Sequence, residues 1–420
     1  MRIFTRNIYP PVGGLLEILS LSLAVWLVAA SAWGQMEIQG IQNGTAPASN
    51  YDRFDNSPAW IGNPANWPAG APPVNNSYPW AGVGRDSTAG RWATLISPDY
   101  VISAHHYSPN VGDSVQFFLN NDPNGYSETR TIAASEWLQT SVPGDQGDVW
   151  IGRLSSPVYD ITPYPILKLS KNSDYNGLGI DTFGLSAPMP GNATSVRLGR
   201  NTIEPYSANY VPFSPSLTGV TNAYTYQYGY GNPGVGPDTS QVIAGDSGAP
   251  SFFLYAGATP ALIGLHWYNN SPIDTLSGDT WLSNYAGDIQ TGINQLSAAA
   301  GLAPDTVKTV SPVRGDLSLD GHVTGSDISA MLKCLADVSL YETSHGMSDA
   351  YLDYIADLNG DGKVNNADLQ SLLFHLILGT SFSPVPEPSA WILFTLGGLA
   401  LGVFMVRRGR IRSIFGQQAE

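Results

Sequence analysis

The sequence predicts a mainly β protein with a small α-helical module on its C-terminal side. Three observations carry that expectation. Short alternating apolar runs broken by Gly, Pro, Asn and Asp recur from about 41 to 300, a spacing typical of sandwiches and barrels. A twelve-residue acidic loop with glycine at its sixth position occurs twice, 41 residues apart, each time followed by a helical pattern. Apolar runs flanked by arginines occupy both ends. The chain has 420 residues, enough for two to three domains at about 150 residues each. Its 43% hydrophobic content supports a packed core. A net charge of −15 argues against a nucleic-acid binder, because phosphate backbones demand cations. One cysteine rules out a disulfide scaffold and a multi-cysteine zinc site.

The first 34 residues read as a secretory leader. Arg2 and Arg6 precede an apolar run from Ile18 to Ala30, and small residues allow cleavage after Ala32 or Gly34. The run is too short for a membrane helix. At the other end, Val385-Pro386-Glu387-Pro388 precedes the apolar stretch 390–406 and then Arg407, Arg408, Arg410 and Arg412. That stretch is at the short limit of a bilayer span, and the arginines favour the cytoplasmic side. Residues 384–412 resemble the PEP-CTERM sorting signal. The resemblance implies membrane contact through the tail and recognition by an exosortase-type enzyme. It also implies export to the cell surface, outer membrane or extracellular matrix of a Gram-negative bacterium. The alternative is a permanent C-terminal anchor. Removing the two ends takes away six arginines and two glutamates and makes the body more acidic, which suits calcium sites.

Within 41–300, the predicted strands include Trp92–Ile96, Tyr100–Ser103, Val115–Leu119, Val149–Leu154, Ser251–Tyr255 and Ala261–Trp267. Ile289, Ile293 and Leu296 after Asp288 predict a closing helix. The tyrosine-rich stretch 201–240, containing Tyr206, Tyr210, Tyr224, Tyr226, Tyr228 and Tyr230, reads as a long surface loop. Residues 301–314 read as a linker, in a polar and Pro-containing stretch that begins near Ser297.

Three segments of this region carry chemistry. They are Ser103-Ala104-His105-His106 at the end of a strand, Gly147-Asp148-Val149-Trp150-Ile151, and Gly245-Asp246-Ser247-Gly248-Ala249-Pro250. A serine hydroxyl becomes nucleophilic when a neutral imidazole takes its proton, and a buried carboxylate fixes that imidazole's tautomer. Over 41–300 these segments resemble the trypsin-like (chymotrypsin-fold) serine peptidases, in the order His, Asp, Ser with gaps of 42 and 99 residues. The resemblance implies a double β-barrel that hydrolyses protein or peptide substrates without a catalytic cofactor. It assigns His106 as base, Asp148 as orienting acid and Ser247 as nucleophile, with the N–H groups of Gly245 and Ser247 as the oxyanion hole. His105 stands where alanine is usual, and Asp145 is a rival to Asp148 that lacks a following apolar strand. Gln241 takes the pocket-floor position, so a preference for Arg or Lys is not expected. His266, Trp267 and Tyr268 are expected to line the pocket wall. His266 matches the histidine that binds acidic side chains in glutamyl endopeptidases, the alternative being a satisfied core histidine. Tyr268 replaces a usual glycine and is expected to narrow the pocket. Ile41-Gln42-Asn43-Gly44 faintly resembles an activated N-terminus, which after cleavage behind Gly40 would pair with Asp246.

The repeated loops are Asp316 to Asp327 and Asp357 to Asp368. Calcium takes six to eight hard oxygens, and the spacing offers Asp316, Ser318, Asp320, His322 (carbonyl), Thr324 and Asp327 in the first. The second offers Asp357, Asn359, Asp361, Lys363 (carbonyl), Asn365 and Asp368. After the loops, Ile328, Met331, Leu332 and Leu335 match Leu369, Leu372, Leu373 and Leu376, so the two helices are expected to pack together. No helix is evident entering either loop. Residues 315–378 resemble type I dockerin modules, which implies two structural calcium ions and a cohesin-like partner. In those modules loop positions 10 and 11 contact the partner; here they are Gly325-Ser326 and Asn366-Ala367, so the two faces are not equivalent. Cys334 reads as an apolar helix-face residue.

The expectation is an exported serine endopeptidase tethered or assembled by a calcium module. Its rival is a catalytically silent surface scaffold acting through dockerin–cohesin binding. A carbohydrate enzyme has no carboxylate-pair segment to support it.

Overall fold

The computed structural model describes residues 36–51, 53, 80–118, 127–138, 147–185, 196–204, 210–212, 220–227, 236–255, 259–269, 276–345 and 347–379. The leader, the sorting tail with its apolar segment 390–406, Asp145, Tyr206, Tyr228 and Tyr230 lie outside them. Among the described residues no helix is long and apolar enough to cross a membrane. The chain forms two compact units, one ending its main span at Ser311 and the other beginning at Pro312.

The first unit is β. After β1 (Glu37–Ile38), the strands β2 (Val83–Asp86), β3 (Trp92–Leu95), β4 (Tyr100–Ser103), β5 (Ser114–Phe118), β6 (Ser127–Trp137) and β7 (Trp150–Leu154) close into a barrel in the order β2-β3-β4-β7-β6-β5. Side chains alternate across each strand. Leu95, Val101, Phe117, Ile132, Trp150 and Leu154 therefore pack in one cluster, while Ile96, Ile102 and Ile151 join a second that includes Phe183, Leu185, Phe252 and Leu265. Gly84 and Gly152 are required by close approach, since a Cβ at either would collide with the Phe117 or Trp150 ring.

The remaining strands are β8 (Ile166–Leu167), β9 (Gly179–Leu185), β10 (Val196–Thr202), β11 (Tyr210–Pro212), β12 (Val220–Gln227), β13 (Ser240–Gln241), β14 (Pro250–Tyr255), β15 (Thr259–Asn269), β16 (Leu276–Trp281) and β17 (Thr309–Val310). A nine-stranded sheet runs β10-β9-β14-β15-β16-β12-β11, with β8 and β17 attached in parallel off that path. Ile203, just past the end of β10, meets Tyr226 of β12 at an isolated bridge, and no ladder joins the two strands. One closed barrel and one curled sheet is thus the observed architecture. The tyrosine-rich stretch is not one long loop: β11 and β12 cross it, and Tyr226 is fully buried.

Helix α1 (Gln39–Gln42) follows β1, and β1 pairs with β13. Met36 is fully buried against Gly184 and Gly199, worth about 1.5–3 kcal/mol by transfer. Residues 36–42 are therefore built into the fold.

Helix α2 (Ala286–Ala300) buries Ile289, Ile293 and Leu296 and ends at Gly301, whose left-handed φ of 69° closes the last turn. The linker is shorter than expected. Residues 297–300 complete α2, Gln290 holds both the Asp305 carbonyl and the Val307 N–H, and β17 pairs with β8. Those backbone groups find partners in the sheet unit and so stop being a free tether.

The second unit holds α3 (Gly325–Ala336) and α6 (Asn366–Leu378), with most of α4 (Val338–His345) and α5 (Asp349–Ala356), which both straddle the division. Helices α3 and α6 pack on each other. The buried residues on them are Asp327, Met331 and Cys334 against Asp368, Ser371 and Leu372, while Leu332 and Leu373 face outward. The expected apolar stripe is rotated because the loop-closing carboxylates occupy part of the inner face. Burial pushes the Cys334 thiol up to about 11. A further correction concerns α5, which runs directly into the second loop. Its buried Tyr351, Leu352, Ile355 and Ala356 form one face, a pattern hidden in sequence by its shortness.

Candidate functional site

Three strand ends of the first unit converge. Strand β4 leads through Ala104 into a short 3-10 turn, His105–Tyr107. Residue Asp148 lies just before β7, the neighbour of β4, where Ser103 pairs with Trp150. Asp148 is fully buried and accepts two hydrogen bonds from one residue: the His106 N–H at 2.9 Å and His106 Nδ1 at 2.6 Å. Donation from Nδ1 leaves Nε2 as the acceptor nitrogen, facing away from the carboxylate. The imidazole is one-fifth exposed and so remains reachable.

His105 does not crowd this pair. Its ring stacks on Trp137 at 4.0 Å between centroids and 12° between planes, and Trp137 Nε1 donates to the Gly147 carbonyl at 2.9 Å. Burial, aided by the neighbouring His106, holds the His105 imidazole below its usual pKa against the pull of Asp148. Trp137 thereby joins the His105 and Asp148 segments, a role that spacing did not reveal.

The loop 243–249 carries Ser247. Gly248 has φ 82°, and a Cβ there would collide with Ser103 Oγ and approach the Ala104 nitrogen at 3.0 Å. Only glycine permits this approach, which sets the serine segment against the residues leading to His106. Ser247 Oγ makes no hydrogen bond to His106 among the described residues. Such contacts are often loose before substrate binds. The N–H groups of Gly245 and Ser247 likewise have no acceptor among the described residues, and Gly245 has φ 102°. The structure thus joins His106 to Asp148 by hydrogen bonds, and sets the Ser247 segment against the residues leading to His106.

Asp246 is fully buried. Its carboxylate accepts the Leu185 N–H at 2.7 Å and the Ile243 N–H at 2.9 Å. Burial pushes its pKa up to about 6, against those two hydrogen bonds. With both oxygens engaged by backbone and residues 36–42 built into the sheet, the expected pairing of a freed Ile41 amino group with Asp246 is not what this fold uses.

The pocket residues divide. His266 N donates to the Ala249 carbonyl and its own carbonyl accepts from Gly248 N, both at 2.9 Å, so β15 runs beside the loop 243–249. The His266 side chain is in the core, 1% exposed. Its Nε2 lies 2.6 Å from the Phe183 carbonyl and its Nδ1 2.7 Å from Asp279 Oδ1. Both partners only accept, so both ring nitrogens carry protons and the group is an imidazolium paired with Asp279. Tyr226 and Ser251 hydroxyls donate to the same carboxylate at 3.0 and 2.6 Å. Expectation of an acidic-substrate ligand is corrected: every polar atom of the ring is taken. The sequence signal was Asp279 inside an otherwise buried strand.

Burial alone would lower the His266 pKa, but Asp279 and Asp246 outweigh it and the net shift is upward. A raised folded-state pKa contributes stability that is complete below about pH 6.5 and lost as pH rises through the folded value. The thermal midpoint of the β unit, followed by tryptophan fluorescence, is expected to fall from pH 6.5 upward. A His266→Gln variant should lose that slope; an unchanged slope would contradict the ion pair.

Gln241 is buried, and its Nε2 finds no acceptor among the described residues. Trp267 is buried and meets Tyr268 edge-on at 5.0 Å. Tyr268 pairs with Gly278 across β15 and β16, and its ring occupies the space over that glycine. Asn269 Nδ2 donates to the Val242 carbonyl at 2.7 Å, tying this wall to the strand leading to Ser247.

In the second unit, both loops wrap their first carboxylate around backbone N–H groups. Asp316 accepts from Asp320 and Gly321 at 3.1 and 2.8 Å, and Asp357 from Gly360, Asp361 and Gly362 at 2.8, 3.2 and 2.9 Å. Gly321 and Gly362 take φ of 85° and 79° at the sixth position, where the turn needs it. The last loop residue also serves the helix. Thr324 with Asp327, and Asn365 with Asp368, form capping boxes on α3 and α6. His322 and Lys363 contribute through their backbone, and their N–H groups bond Asp320 and Asp361 at 2.9 Å.

The donor chemistry fits a hard cation. Asp361 Oδ2 lies 3.0 Å from Asn359 Nδ2 and 3.4 Å from Asn365 Nδ2, and the latter is 3.5 Å from the Lys363 carbonyl, so positions 3, 5, 7 and 9 share one centre. Burial, then the Asp327 and Asp320 carboxylates, push the Asp316 pKa up, the mark of an anion-crowded ring. Among the described residues no three acidic, imidazole or thiol side chains alone make a metal cluster, so Ser, Thr, Asn and carbonyl oxygens must complete the shell.

Comparison with known families agrees at this point. Residues 314–376 match the dockerin type I domain, and residues 384–410 match the PEP-CTERM protein-sorting motif. No curated protein matches the chain. These matches support an exported, dockerin-bearing surface protein, associated with the cell surface of Gram-negative bacteria. A type I dockerin binds calcium structurally and implies a cohesin-type partner, and the tail implies an exosortase-type sorting system.

Proposed function

We propose that the protein is an exported serine endopeptidase whose β unit is a chymotrypsin-like double barrel, displayed through a dockerin that holds two calcium ions. The observation that carries the reading is the buried Asp148 carboxylate, doubly bonded to His106, together with the Gly245 and Ser247 N–H groups, which have no acceptor among the described residues. The isolated bridge from Ile203, just after β10, to Tyr226 of β12 supports a second barrel. In the proposed reaction Ser247 Oγ attacks a peptide carbonyl carbon as His106 Nε2 takes its proton. The carbonyl oxygen, now an anion, sits against the N–H groups of Gly245 and Ser247. His106 then returns the proton to the leaving amine, and water activated by the same nitrogen releases the acyl group. The test is incubation of the secreted full-length chain with unfolded casein. New peptide N-termini are expected, and their absence from folded protein would favour a silent scaffold. That second reading draws on the unbonded Ser247 hydroxyl and on Tyr268.

With His266 engaged, no basic group is assigned to the pocket wall. Tyr268 over Gly278 leaves room for small side chains beside the scissile bond. Tyr268→Gly is expected to raise kcat/KM for peptides bearing a large apolar residue there by roughly tenfold or more. Equal selectivity in both proteins would remove Tyr268 from the pocket.

A further inference from the structure

The nucleophile loop hangs between two halves of the β unit, and its hydrogen bonds do not pin it evenly. The Ser247 N–H belongs to a peptide whose other end is fixed: the Asp246 carbonyl accepts from Ala249 N at 2.8 Å. The Gly245 N–H rests on a glycine at φ 102°, a region with little intrinsic restraint for that residue. Its orientation depends on the next peptide plane. There the Asp246 N–H donates to the Ile243 carbonyl at 3.0 Å, within the loop itself. The other end of that plane, the Gly245 carbonyl, is held from the closed barrel by Trp92 Nε1 at 3.2 Å.

Trp92 is fully buried on β3 and is itself braced. Arg85 pairs with it across β2 and β3, and the Arg85 guanidinium carbon lies 5.0 Å from the centre of its ring system. Arg85 is 7% exposed; its Nε donates to the Gly90 carbonyl at 3.1 Å, while Nη1 and Nη2 find no acceptor among the described residues. A buried guanidinium with two idle nitrogens is costly unless something else uses its charge. The indole face does so, and the buried Asp246 carboxylate stabilises the same cation electrostatically.

We propose that Trp92, seated on Arg85, is a positioning residue that fixes the Gly245–Asp246 peptide plane and thereby sets the Gly245 N–H, one plane earlier, to face the reacting oxygen. In this chain a tryptophan hydrogen bond takes on the fastening of nucleophile loop to barrel, since its one cysteine lies in α3 and no disulfide is available. The inference rests on the peptidase reading above and deepens it.

The test uses the secreted full-length chain with saturable labelling by a fluorophosphonate probe, whose phosphoryl oxygen takes the oxyanion position as Ser247 displaces fluoride. Trp92→Phe keeps a buried aromatic ring but has no N–H. Its maximal labelling rate is expected to fall roughly tenfold while the probe's half-saturation concentration is unchanged. Arg85→Met, which leaves the indole and removes its cation, is expected to slow labelling in the same direction by a smaller factor. A parent chain that labels at Ser247 while folded Trp92→Phe labels equally fast would overturn the inference and leave the peptidase reading intact. Should Trp92→Phe not fold, Arg85→Met decides alone, with parent-like labelling as the overturning result. A folded parent that never labels would instead overturn the peptidase reading.

Discussion

Ser247→Ala is expected to abolish peptide hydrolysis, with a loss of roughly 10⁴–10⁶ in kcat, while leaving secretion and folding unchanged. The fold is spared because the hydroxyl makes no hydrogen bond among the described residues and the loop is held by its backbone. His106→Ala should be nearly as severe, since His106 is the group proposed to take the Ser247 proton. Asp148→Asn keeps the shape but replaces one acceptor oxygen with a donor nitrogen, so His106 adopts the wrong tautomer and roughly 10⁴ in rate is lost. The three losses should not add, because the residues act as one unit. Equal and small losses across the series, measured on casein-derived peptides, would point to a scaffold.

Removing calcium is expected to have the second largest effect, confined to the helical unit. A chelator should reduce the far-ultraviolet helical signal of α3 to α6 and leave the tryptophan-reported melting of the β unit unchanged. The reason lies in Asp327 and Asp368, which close their loops and cap α3 and α6 with the same carboxylates. Asp368 accepts from Leu358, Asn359 and Asn365 backbone N–H groups at 2.8, 3.0 and 2.8 Å. Asp368→Ala strands three part-buried or buried donors and is expected to cost about 3 kcal/mol or more even before calcium is lost. Acid should act in the same direction as a chelator, because ligand carboxylates must be ionised to bind and burial already raises the Asp316 and Asp368 pKa values. Helical content indifferent to both treatments would contradict structural calcium.

Much of this was legible in the chain. The strand runs, α2 and both loops follow from local pattern: period two, period 3.6, and oxygen residues at alternating loop positions. His106 and Asp148 are legible because each stands at the end or start of an apolar strand, where pairing of β4 with β7 must bring them together. What was hidden depends on groups far apart in sequence. His266 looked like a pocket residue because its strand motif does; only Asp279, brought over by β16, and the Phe183 carbonyl from β9 turn it inward. Helix α5 was hidden because eight residues show barely two turns of pattern. The linker was overcounted because polar composition does not reveal that Gln290 and β8 bind its backbone. Trp92 gave no signal at all, since an indole N–H finds its carbonyl 153 residues away.

The most direct measurement is mass-spectrometric mapping of a fluorophosphonate adduct on the folded, secreted chain. A single adduct on Ser247, absent in Asp148→Asn over the same exposure, is the predicted result. Folded protein that carries no adduct on Ser247, or carries it equally in both chains, would contradict an active site built from His106, Asp148 and Ser247.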